Sequence, residues 1–129
     1  MKNKNVKFKG YSVSNFNLEE NIEKDENVEK EDTGNLEVST KSLQNKKDSD
    51  VYKVCIRVKT VTKKSILVLE LEGIFEFENI IEKDVIDEFL KITAPTILYP
   101  YCRSFISLVT GFDSDNVVLL PIINFANTN

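Results

Sequence analysis

Few side chains in this sequence could do covalent or ligating chemistry. Histidine is absent, which removes the usual general base near neutral pH. It also removes the commonest transition-metal ligand and the His-assisted nucleophiles. The two cysteines, Cys55 and Cys102, stand 47 positions apart in apolar surroundings. That spacing fits neither a metal site nor a disulfide framework, and it reads as two buried thiols in a reducing compartment. Glu70 and Glu72 are paired carboxylates, but their alternate spacing on a strand turns both to solvent. Nothing there suggests a shifted acid. Arg103 is the single charge on an otherwise apolar helix, and it is expected to satisfy carbonyls or a carboxylate within the fold or an interface. No Gly-rich phosphate loop or metal cluster occurs. The expected chemistry is non-covalent: a binding protein, not an enzyme, with no cofactor or metal.

Composition agrees. The 129 residues are 41% hydrophobic and 29% charged, which suits one globular domain spanning 1–129. The net charge of -4 and pI of about 5.0 argue against nucleic-acid binding. No apolar run is long enough to span a bilayer, and no signal-peptide pattern follows the basic N-terminus. A cytoplasmic location is expected. Charge is uneven. The first 50 residues carry 9 lysines and 11 acids, whereas after Phe89 the charges are Lys91, Arg103, Asp113 and Asp115. The stretch from Glu19 to Asp32 holds 8 acids and 2 lysines and reads as a mobile acidic loop. Mobile loops are expected over 19–35 and 44–50.

The elements that must position any binding surface follow from periodicity. Val6–Asn17 reads as a first strand with imperfect alternation, Val6 and Phe8 on one face and Tyr11 and Val13 on the other. A short strand follows at Leu36, Val38 and Thr40. Val51–Thr62 places Tyr52, Val54, Ile56 and Val58 on one face. Ile66–Glu78 alternates strictly, with Leu67, Leu69, Leu71, Gly73, Phe75 and Phe77 opposite Glu70, Glu72, Glu76 and Glu78. That pattern specifies a half-buried antiparallel strand of firm register. Gly73 within the apolar row predicts a bulge or close packing.

The period then becomes helical. Glu82–Ile92 predicts a short amphipathic helix, and Pro95 suits the first turn of a second helix running to Thr110, capped near Thr93 or Ala94. Gly111 is the natural stop. Pro100 is expected to bend that helix. Its apolar residues go nearly all the way round, so one face would lie on the sheet and another on a neighbouring subunit, the alternative cover being the apolar tail Val117–Phe125. The interface candidates are Leu98, Tyr101, Cys102, Phe105, Ile106 and Val109. The expected class is α+β: a four-stranded antiparallel sheet with a long apolar helix on one face.

Three blocks in order resemble the SecB family of protein-export chaperones. They are Gly73-Ile74-Phe75, then Pro95-x-x-Leu98-Tyr99-Pro100-Tyr101-x-Arg103-x-x-Ile106-Ser107, then Leu120-Pro121-x-x-Asn124-Phe125. The blocks lie between Val51 and Phe125, and Lys7–Asn21 fits the family's first strand loosely. Ser104 stands where many members carry a glutamate, and Ile122 where a second proline is common. The sequence ends four residues after Phe125, where members usually continue into a second long helix and an acidic tail.

The resemblance implies an ATP-independent holdase, assembled as a dimer of dimers, that binds unfolded preproteins and delivers them to the motor ATPase SecA. It implies no membrane insertion. Client-groove candidates are Phe16, Leu18, Leu36, Val38, Ile122 and Phe125. Candidates for SecA contact are Glu19, Glu20, Glu70 and Glu72. Two alternatives stay open: a SecB-like chaperone dedicated to one client such as an antitoxin, and an interaction module of this fold without chaperone activity.

Overall fold

A computed structural model describes residues 6–22, 35–79, 81–112 and 117–127. The strands are β1 (Val6–Glu20), β2 (Asn35–Gln44), β3 (Val51–Val61) and β4 (Ser65–Phe77). They form one antiparallel sheet in the order β1-β4-β3-β2, which leaves β1 and β2 as its edges.

The alternation of β4 is realised residue by residue. Leu67, Leu69, Leu71, Gly73, Phe75 and Phe77 are buried, and the intervening positions are half-exposed. Gly73 is explained by close approach: a Cβ there would come within 2.6 Å of Leu98 Cδ2. The β3–β4 turn is closed by Thr62, whose N–H donates to the Ser65 carbonyl at 2.9 Å and whose hydroxyl accepts from Ser65 N–H. The β2–β3 turn is an Asx turn in which Asn45 Oδ1 accepts from the amides of Lys47 and Asp48.

β1 departs from its expected phase. Two β-bulges, between Phe8 and Gly10 and between Val13 and Asn15, each insert one residue. Gly10 takes a φ of 118°, a conformation that a side chain would strain. The bulges therefore re-phase the strand. Val6, Phe8, Tyr11, Val13, Phe16 and Leu18 all stand opposite the buried row of β4. Alternation counted along the sequence instead separates Val6 and Phe8 from Tyr11 and Val13. β1 also runs on through Glu20, beyond the expected end at Asn17. Asn21 then ties it to the β3–β4 turn, donating from its amide to Lys64 O and from its side chain to Thr62 O. The remainder of the expected acidic loop, residues 23–34, lies outside the described residues.

The two expected helices are one helical run. α1 (Lys83–Glu88) passes through a π segment (Phe89–Thr93) into α2 (Ala94–Thr110). Thr93 and Ala94 are helical and Thr93 makes no side-chain cap. The Ala94 N–H reaches back five residues to Phe89 O. This wider turn sits just before Pro95, whose missing N–H interrupts the ordinary ladder there. Helical geometry also continues through Pro100. α2 packs on β3 and β4, closing a core of Val54, Ile56, Val58, Leu67, Leu69, Leu71, Phe75, Leu98, Cys102 and Ile106.

Candidate peptide-binding surfaces

α2 presents four sides. Leu98, Cys102 and Ile106 are fully buried against the sheet. Facing outward are Thr96, Pro100, Ser104 and Gly111, all exposed, with half-buried Ser107. The helix is thus not apolar all round. Its spacing of four, four, three and four collects these small residues into one solvent stripe.

The flank towards β1 is apolar and open. Tyr101 stacks on Tyr11 at 4.1 Å between centroids and lies 6.2 Å from Phe8. Phe8 also stacks on core Phe75 at 5.1 Å. Further along, Phe105 meets Phe16 edge-to-face at 5.0 Å. Phe8, Tyr11, Val13, Leu18 and Tyr101 all remain exposed, and the stripe continues into Leu108 (65% exposed) and Phe112 (85%). Beside it runs the outer edge of β1, whose outward N–H and C=O groups face no strand among the described residues.

The opposite flank is covered by residues 117–127. Tyr99 Oη donates to Pro121 O at 2.7 Å, and Arg103 Nε donates to Leu120 O at 3.3 Å. Phe125 packs edge-on against Tyr99 at 5.6 Å. Burial pushes the Tyr99 hydroxyl pKa up, with Arg103 opposing. Arg103 thus satisfies a backbone carbonyl, as expected from its apolar setting.

The six groove candidates fall in different places. Phe16 and Leu18 lie on the β1 edge beside α2. Leu36 and Val38 are half-buried on β2, at the other edge. Three strand spacings, about 14 Å, separate the two pairs. Ile122 is 82% exposed, and Phe125 is buried on Tyr99.

The six interface candidates also divide. Leu98, Cys102 and Ile106 are core residues of the single chain, so no surface of theirs is left for a neighbour. Tyr101 and Phe105 lie on the open flank, and Val109 is half-buried. Phe8, Tyr11, Leu108 and Phe112 belong to the open surface and were not among the candidates. Gly10 and the imperfect alternation were the available signals for the first two.

The far face of the sheet carries the carboxylates in ion pairs. Arg57 Nε meets Glu70 at 3.2 Å, and Lys53 meets Glu72 at 3.7 Å. Lys9 and Lys7 pair with Glu76 and Glu78 at 3.4 and 3.0 Å. Glu19 and Glu20 are exposed at the end of β1. Burial, then Glu70 and Glu72, pushes the Cys55 thiol pKa up; burial pushes Cys102 to about 12. Among the described residues no cluster could hold a metal ion. No helix there is long and apolar enough to cross a membrane.

This arrangement can bind polypeptide by apolar contact and strand addition. Across residues 3–128 the sequence matches the family described as preprotein translocase subunit SecB. The chain belongs to the SecB family. That family is one of chaperones, not enzymes. An uncharacterized protein of Methanocaldococcus jannaschii is 32% identical over 130 residues, covering 94% of this chain and 80% of that one. The protein-export protein SecB of Anaplasma marginale (strain Florida) is 33% identical over 82 residues. The match covers 60% of this chain and 47% of that SecB, so it spans about half of the relative's length. The fold is that of a Mycobacterium tuberculosis SecB-like chaperone solved with a peptide from the HigA1 antitoxin. The TM-score is 0.70 at 15% identity, covering 92% of this chain and 91% of that one. A Streptococcus agalactiae protein of unknown function is also similar, with a TM-score of 0.56 at 14% identity and covering 91% of this chain and 97% of that one.

Proposed function

We propose that this protein is an ATP-independent holdase that binds unfolded polypeptides. The observation that carries the reading is the open aromatic flank of α2 running beside a strand edge that no other strand among the described residues pairs with. Stacked rings with exposed faces accept many apolar side chains, and a free edge accepts any extended backbone. Membership of the SecB family supports the same reading.

The protein works as a homo-oligomer, a dimer of dimers, in which part of the open flank meets a second copy. The contiguous exposed rings of Phe8, Tyr11 and Tyr101 support association. Clients are unfolded preproteins in the cytoplasm, passed to SecA.

One observation favours a narrower role. Glu70 and Glu72, the strand acids expected to meet SecA, already pair with Arg57 and Lys53. Only Glu19 and Glu20 of the four candidates remain open. This supports a chaperone dedicated to one client, as does the antitoxin peptide bound by the mycobacterial relative.

Fluorescence anisotropy of a labelled precursor, unfolded and then folded, tests the proposal. The expected result is binding of the unfolded form alone, by a species of tetramer mass. Binding of neither form by a well-folded oligomer would leave an interaction module and overturn the holdase reading. Binding restricted to one client among several unrelated precursors would select the dedicated role.

A further inference from the structure

Residues 117–125 lie along α2 in the way that a bound peptide lies in a groove. Val118, Leu120 and Phe125 are buried, while Val117, Leu119 and Pro121 are exposed. Burial on alternate residues from 117 to 121 is the signature of extended backbone. Among the described residues this segment belongs to no strand of the sheet. Its backbone is held by side chains of α2 instead. Tyr99 and Arg103 donate to the carbonyls of Pro121 and Leu120, and Thr110 Oγ1 accepts from Val118 N–H at 2.9 Å. The Thr110 hydroxyl proton goes to Ile106 O at 2.6 Å, which leaves its oxygen aimed at the segment as an acceptor. One helix flank therefore offers two donors, one acceptor and an apolar floor. All three polar contacts are to main chain, and main-chain contacts do not depend on the sequence they hold.

We propose that this flank of α2 is a groove for extended polypeptide, occupied in the free protein by the chain's own residues 117–125, and that an unfolded client segment with apolar residues at alternate positions displaces this strap. The inference rests on the holdase reading and names where one client segment would sit. Displacement exchanges like for like, since the entering backbone supplies the same carbonyls and the same N–H. The strap is tethered, so it competes at an effective concentration of roughly millimolar. A short, weak segment loses that competition. A long unfolded client that is already held on the open flank has the same advantage of tethering and wins it. A folded protein has no free extended backbone to offer. The strap thus adds a threshold that separates unfolded chains from folded ones.

Hydrogen exchange on the full chain, with and without a permanently unfolded reduced and carboxymethylated protein, tests this. In the bound complex the Val118 amide is expected to exchange at least tenfold faster, with protection falling across 117–125. Co-elution of the two proteins is followed in the same sample. Binding with unchanged or slower exchange at Val118 overturns the inference and leaves the holdase reading standing. No binding overturns both. Phe125→Ala gives a second readout, because it weakens the strap's own packing on Tyr99 and leaves the donors and acceptor of the helix flank in place. Loss of that buried ring is expected to tighten client binding by roughly tenfold or more. Weaker binding by Phe125→Ala would make the strap a wall of the site instead of its occupant.

Discussion

The two flanks of α2 differ in side-chain chemistry and in fate. On one, Tyr99, Arg103 and Thr110 each find a fixed backbone partner in residues 118–121. On the other, Tyr101 and Phe105 meet rings of β1, and Leu108 is exposed. The contrast between Tyr99 and Tyr101 is instructive. Both are tyrosines two positions apart, yet one is buried with its hydroxyl bonded and the other is half-open on a stacked ring. Polar side chains with set partners specify one arrangement, because an unpaired buried group is costly. Stacked rings without such partners leave the arrangement adjustable. The first flank is built to hold extended main chain in one set geometry, and the second to meet varied side chains.

The covered flank should carry stability. Phe125→Ala removes the ring packed on Tyr99 and is expected to cost about 3 kcal/mol, read from urea unfolding. A loss under about 1 kcal/mol would mean the segment adds little to the fold. Thr110→Val leaves the Val118 N–H without its acceptor and is expected to cost about 1–3 kcal/mol. The two thiols, Cys102 beneath the helix and Cys55 on the far face of the sheet, should part in reactivity. The folded Cys102 thiol keeps its proton up to about 12, whereas the unfolded thiol ionises near 9.0. The folded state then holds more protons between those values, so this group lowers stability as pH rises through that window. Iodoacetamide at about pH 8.5 is expected to label half-buried Cys55 first and to reach Cys102 only on unfolding. The open flank should behave in the reverse way. Leu108→Ser is expected to change monomer stability by no more than about 0.5 kcal/mol. Its effect should appear in oligomer mass and client affinity. A large stability loss with unchanged assembly would erase the distinction between the flanks.

The sequence disclosed what repeats over many residues. β4 alternates for its whole length, so its register and buried face were legible, and Gly73 within the row announced the close approach of Leu98. The family blocks were legible for the same reason, being runs of side chains at fixed spacing. What failed were features set by one local irregularity. Each bulge in β1 needs a single extra residue, which reverses the face of everything beyond it and looks like poor alternation. Pro95 carries the signal of a helix start, and only the neighbouring turn could show that the helix widens and continues. The groove candidates were chosen as apolar residues, and no local pattern says that β1 and β2 are opposite edges. That follows from the strand order, a long-range outcome. Leu98, Cys102 and Ile106 read as interface residues because sequence cannot tell a helix's own sheet from a neighbour.

The central claim is that this chain holds unfolded polypeptide, and dilution of a denatured, slow-folding precursor tests it most directly. Light scattering is followed with and without the protein, and the oligomer mass is measured on the same sample without ATP. Suppression of scattering at near-stoichiometric oligomer, lost progressively in Leu108→Ser, is the predicted result. Undiminished scattering in the presence of a well-folded oligomer, across several unrelated precursors and the candidate dedicated client, would contradict it.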